Sequence, residues 1–218
     1  MKMRRGLCVR IFLSLAVILS AASAGATGTG EIDKLAADLH SGSREARFSA
    51  VDALGRMKDE KATEILLGVI EERSDDWKLQ IRAIRVMGSR DNPKFVDLLL
   101  DILNDPFVTN DCPAMKWNAA TALGNFGKYP RVFDALVNAL HDRDLYVREA
   151  AAESLGQIGD KRAAPFLLDV LHDKSFAMKA SAIRAIRQLH DPAALSYLKR
   201  VALSDKDAIL IYGVSRKP

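Results

Sequence analysis

Cys112 is the first residue to weigh for bond-making chemistry. It sits in the stretch Asn104 to Pro113, which holds two prolines and several polar capping residues and reads as a loop. Directly before Pro113 it falls at the N-cap of a helix, where the helix dipole lowers a thiol pKa. A reactive or cross-linking thiol is one reading; an inert, partly buried thiol is the plain one. His40, His141 and His172 share one register, with His141 and His172 each preceding an aspartate. Two such imidazoles could share an ion, but interaction of histidine with helix C-termini accounts for the same placement, so no metal site is expected. The chain has no Gly-rich phosphate loop, no Cys-x-x-Cys, no His-Glu-x-x-His and no Gly-x-Ser-x-Gly. No catalytic residue and no cofactor is therefore assigned. Binding chemistry is better represented. Phe48, Ile81 and Trp117 recur at a regular interval, flanked by Arg82, Arg85 and Asn118, and apolar side chains interleaved with arginine are the make-up of a binding groove.

The interval is set by the elements that carry these residues. Gly55, Gly88, Gly124 and Gly156 form a column that Arg187 continues, with offsets of 33, 36, 32 and 31 residues. Five residues before each anchor stands an alanine: Ala50, Ala83, Ala119, Ala151 and Ala182. Apolar residues also recur one, four and nine positions before the anchor, as in Leu155, Ala152 and Val147. Positions so spaced share one helix face, and the small residue lets a neighbouring helix approach closely. A second amphipathic segment precedes each of these helices, for example Leu136-Val137 with Leu140. Asn92-Pro93 and Asp191-Pro192 fit an N-cap followed by proline in the first turn. Each unit is helix, turn, helix. A lone pair cannot bury both faces, so stacked pairs must share a core. The expectation is all-α: a right-handed α-solenoid of stacked antiparallel helix pairs. Its units run over about 31–59, 60–92, 93–128, 129–160 and 161–191, with a partial unit over 192–218. The longest spacing falls in the third unit, where the Cys112 loop lies. The end, Ala208 to Gly213, lacks room for a full second helix and either folds back or offers an apolar edge.

Leu140-His141-Asp142, Val147-Arg148, Ala151, Leu155-Gly156, Ile158 and Asp160 resemble the HEAT-repeat family, in particular the short HEAT-like repeats of phycobilisome lyases. The likeness spans roughly residues 31 to 203. It implies that second helices line a concave surface, which would set Phe48, Ile81 and Trp117 in a row across three units. The other placement for these side chains is packing on the next unit. It further implies a polar ladder between repeats, built from an aspartate in the turn and a base in the second helix. The base column is Arg47, Gln80, Lys116, Arg148 and Lys179. The turn column is Ser41, Ser74, Asn110, Asp142 and Asp173, so Asp142 with Arg148 and Asp173 with Lys179 match the expected six-residue spacing. The His-Glu pairs of di-iron hydroxylases built on this repeat are absent.

Charge and the N-terminal segment narrow the function. The chain of 218 residues has a formal net charge of +4. Lys2, Arg4, Arg5 and Arg10 all lie in the first 24 residues, which contain no acid, so the remainder is formally neutral. That opposes nucleic-acid binding, which needs clustered positive charge on the working domain. The basic start, the apolar run Ile11 to Leu19 and the small residues at Ala22-Ser23-Ala24 make residues 1–24 a cleavable export signal, with Ala24-Gly25-Ala26 offering a second cut after Ala26. Residues 25–30 read as a flexible leader and 31–218 as one domain. No stable membrane span is expected after cleavage, and the location is periplasmic or secreted. Cys112 is then the one remaining cysteine, so no internal disulfide forms. The expected function is a non-catalytic scaffold or adaptor that holds a protein partner on the second-helix ridge. The alternative, implied by the resemblance, is a lyase-like enzyme attaching or isomerising a tetrapyrrole; the export signal argues against it.

Overall fold

A computed structural model describes residues 28–71, 76–105 and 113–204. Among them run eleven α-helices: α1 Gly28–Leu39, α2 Arg44–Arg56, α3 Glu60–Glu71, α4 Trp77–Gly88, α5 Pro93–Asn104, α6 Pro113–Leu123, α7 Pro130–Ala139, α8 Leu145–Ile158, α9 Ala164–Asp169, α10 Phe176–Leu189 and α11 Pro192–Ser204. They form five antiparallel pairs and a last helix. The second helices stack in order, α2 on α4, α4 on α6, α6 on α8 and α8 on α10, which makes the α-solenoid the periodicity predicts. The segment predicted as an export signal, residues 106–112 of the Cys112 loop and the apolar C-terminal stretch lie outside the described residues. No helix of the described residues is long and apolar enough to cross a membrane.

Local chemistry explains the boundaries. The Ser43 hydroxyl accepts from the Ala46 N–H, Asp76 from Leu79 and Ser175 from Met178, each capping a second helix. Asn92 accepts from the Lys94 N–H at 2.9 Å and Asp191 from Ala194 at 2.8 Å, with Pro93 and Pro192 in the first turn as expected. α8 ends on Gly159 in the left-handed region (φ 74°), the conformation glycine adopts without a Cβ penalty. Two boundaries differ from the sequence reading. α1 starts at Gly28, inside the predicted leader, with Glu31 in its first turn on the favourable side of the helix dipole. The first helix of the fifth unit is a short α-turn flanked by 3-10 turns, Lys161–Ala163 and Val170–His172.

The glycine column is a packing requirement. A Cβ on Gly88 would lie 2.8 Å from the Cβ of Ala122 in the next second helix, and one on Gly156 would lie 2.7 Å from the Cα of Ala185. Those separations are closer than carbon atoms tolerate, so only glycine permits the stack at these positions. Ala50, Ala83, Ala119, Ala151 and Ala182 are all buried one turn away. Two apolar clusters result. One runs from Ile32 to Phe95 and the other from Ile84 to Leu198, with Ile70 and Leu98 touching both. First helices are tied to each other by exposed ion pairs, Lys61 to Asp33, Lys94 to Glu60 and Glu64, and Arg131 to Asp97. Exposed pairs of this kind add little stability each.

Candidate functional site

Successive second helices present a row of contacts, each spanning two units. In the first, the Arg82 guanidinium grips both oxygens of Asp52, with Nε–Oδ1 at 2.8 Å, and lies 5.5 Å from the centre of the Phe48 ring. That cation over a ring face is itself attractive. The Arg82 hydrogen bond holds the Asp52 carboxyl below the usual carboxylate range, and Asp52 in turn raises Arg82. In the second contact, Arg85 Nε donates to Asn118 Oδ1 at 2.8 Å. The buried Asn118 amide donates to the Ala114 carbonyl at 2.7 Å, so its oxygen is locked towards Arg85. In the third, the Trp117 and Tyr146 rings lie 5.7 Å apart, tilted by 37°. In the fourth, Arg184 bridges Glu153 and the Ser181 hydroxyl, at 2.6 and 2.8 Å.

The row therefore contains five of the six residues proposed from the sequence, Phe48, Arg82, Arg85, Trp117 and Asn118, in a different state. Phe48 and Trp117 are half-buried and pack against the two clusters. Ile81 is half-buried as well. Arg82 and Asn118 are committed to inter-unit bonds. What stays open is the Tyr146 ring, 61% exposed beside Trp117, and the outer end of Arg85. A guanidinium carries five donors, and beyond Nε those of Arg85 have no partner among the described residues. Sequence reasoning missed Tyr146, which stands ten before its anchor while Trp117 stands seven before its own. The stack brings them together because neighbouring helices are offset by about one turn. Asp52, Glu153 and Arg184 share the register three before the anchor, and that spacing was their available signal.

The polar ladder exists, with its partners shifted by one unit. The Arg148 guanidinium donates to the Asp142 main-chain carbonyl at 3.0 Å but meets the Asp173 carboxylate of the next unit at 3.3 Å. Lys116 reaches Asp142 at 3.1 Å, and Arg47 bonds the Ser41 carbonyl at 2.7 Å and Asp76 at 2.8 Å. Lys179 has no side-chain partner among the described residues. The reason is local. One oxygen of each turn aspartate accepts from its own turn, Asp142 from Asp144 N–H and Asp173 from Ser175 N–H. The other oxygen meets the preceding unit's base, as Asp142 Oδ2 meets Lys116 and Asp173 Oδ2 meets Arg148.

Among solved structures, the complex of CpcE and CpcF of phycocyanin lyase from Nostoc sp. superposes with a TM-score of 0.56 at 24% identity, covering 87% of this chain and 77% of that one. A designed armadillo repeat protein in complex with the peptide (KR)4 superposes with a TM-score of 0.51 at 16% identity, covering 83% and 96%. Both likenesses are of fold. In sequence, a stretch of 53 residues is 45% identical to phycocyanobilin lyase subunit alpha of Picosynechococcus sp., covering 24% of this chain and 19% of that protein. A stretch of 75 residues is 40% identical to the subunit of the same name from Nostoc sp., covering 34% and 27%. The chain thus matches about a fifth to a quarter of the length of these relatives. Their names correct two expectations. The relatives with sequence likeness are lyase subunits, so the reading of a non-catalytic scaffold, and of a chain without enzymatic role, gives way to the alternative. HEAT repeats match over residues 32–110, 69–154, 106–178 and 134–214, which together take in nearly all of the described chain, and the chain belongs to the HEAT-repeat family.

Proposed function

We propose that this chain is a lyase-type HEAT-repeat subunit that binds a linear tetrapyrrole on its second-helix row and presents it for attachment or isomerisation. One observation carries the reading: the 53-residue stretch 45% identical to a phycocyanobilin lyase subunit alpha. The geometry supports it chemically. A linear tetrapyrrole is a long conjugated body with carboxylate side arms. The Trp117–Tyr146 pair offers a ring platform for the conjugated body. Arg85, anchored at Nε by Asn118, keeps its outer donors for a carboxylate. The side chains of the row orient the pigment; no proton-transferring group is assigned among them.

The protein partner belongs to the same proposal. The Nostoc neighbour is a complex of two proteins, which supports a second subunit working beside this chain. Residues 1–24, with four bases before an apolar run, support an exported location for this chain; that signal weighed against the lyase alternative, and the sequence likeness to lyase subunits outweighs it. The test is a titration of the purified chain with phycocyanobilin, followed by absorbance and fluorescence, then an attachment assay with a candidate second subunit and an apoprotein acceptor. A saturable spectral change and pigment retained on the denatured acceptor support the reading. An unchanged pigment spectrum at all concentrations overturns it.

A further inference from the structure

The third unit carries the longest anchor spacing, 36 residues from Gly88 to Gly124, while its boundary with the fourth unit follows a regular spacing of 32 from Gly124 to Gly156. A cavity of about 340 Å³ lies at that boundary, between the C-terminal ends of α5 and α7 and the turn that follows α7. Its volume falls in the range that holds a small molecule. Leu103, Ala135 and Ala139 supply an apolar floor, and all three are buried. Lys116 lines the cavity from α6 and is itself only 5% exposed, a deep setting for an ammonium group. Asn104, Asn138, His141, Asp142 and Arg143 complete the polar wall.

The hydrogen-bonding balance of this wall is one-sided. Asp142 is the acid of the wall, and both of its oxygens are already engaged, Oδ2 by Lys116 and Oδ1 by the Asp144 N–H. Lys116 carries three donors and uses one on Asp142. The side chains of Asn104, Asn138 and Arg143 have no hydrogen-bond partner among the described residues. Spare donors therefore outnumber spare acceptors, and the formal charge of Lys116, Arg143 and Asp142 taken together is positive.

We infer that this cavity is a binding site for a small organic carboxylate, with its head on Lys116, Arg143 and the Asn138 amide and a short apolar body on Leu103 and Ala139. The site is independent of the pigment reading. It lies at the turn edge rather than along the Trp117–Tyr146 row, and it stands or falls without any tetrapyrrole.

The test is a titration of the ¹⁵N-labelled full chain with sodium butyrate at constant ionic strength, read by ¹H–¹⁵N spectra, with butyramide as the uncharged isostere. The expected result is saturable shifts confined to the Asn104 and Asn138 side-chain amides and the backbone of His141 to Arg143. Butyramide should bind at least about fivefold more weakly, since it forfeits the charge-assisted bonds. Lys116→Met should abolish the shifts. Because that variant also strands Asp142, the exposed positions carry the test if it fails to fold: Arg143→Gln and Asn138→Ala should each weaken butyrate about threefold or more. Shifts that never saturate, equal binding of butyramide, or unchanged affinity in both exposed variants would overturn the proposal.

Discussion

Lys116 of the third unit and Asp142 of the fourth form an ion pair, Nζ to Oδ2 at 3.1 Å, with side chains only 6% and 13% exposed. It is the most enclosed ion pair of the ladder between units. Removing one partner of such a pair leaves a charge in a poorly solvated place, which costs far more than the loss of an exposed pair. Lys116→Met should therefore lower unfolding free energy by about 3 kcal/mol in urea melts. Lys94→Met, which breaks exposed bonds to Glu60 and Glu64, should change it by less than about 1 kcal/mol. Equal effects of the two variants would show that enclosure does not set the value of these pairs.

Close helix approach should be as sensitive as charge. Gly156→Val places branched carbon against the Ala185 backbone and should destabilise by about 1–3 kcal/mol through overpacking. Gly68 in α3 is the contrast, because a Cβ added there meets nothing within 4 Å. Gly68→Ala should not destabilise, since alanine also favours the helix. Thermal melts of the two variants beside wild type make the comparison.

Pigment binding should respond to the open part of the row. Tyr146→Ala and Arg85→Gln touch exposed side chains, so the fold should be retained while phycocyanobilin affinity drops about tenfold in each, from lost ring stacking and a lost charge-assisted bond. Spectral titration reads both. Full affinity in both variants would move the pigment off this row.

Acid should loosen the first contact of the row. The folded Asp52 carboxyl titrates below its unfolded value because Arg82 bonds its charged form. Its contribution is thus present above about pH 4, the unfolded carboxylate range, and fades as pH falls through the lower folded value. Both partners are partly exposed, so the effect is below about 1 kcal/mol and shrinks in salt. Asp52→Asn should flatten the stability profile between pH 5 and pH 2, by about that amount. A profile that keeps its wild-type slope would remove Asp52 from the acid response.

The sequence by itself determined the repeat. The glycine and alanine columns recur because every unit solves the same close-packing problem, so one dimension is enough to read the helix pairs, the proline caps and the end of the regular stack at Arg187. The base column of the ladder was legible for the same reason. Its acid partners were not, since Arg148 finds the Asp173 side chain in the next unit and only a main-chain carbonyl at Asp142. Which atoms meet across units depends on the offset between neighbouring helices, a quantity absent from any single unit's spacing. That offset joined Trp117 to Tyr146, turned Arg82 onto Asp52 and Phe48, and left the outer donors of Arg85 open. The cavity beside Lys116 likewise lies between two units, where the ends of α5 and α7 meet the turn that follows α7. Periodicity is a property of the chain, and contact between periods is a property of the stack.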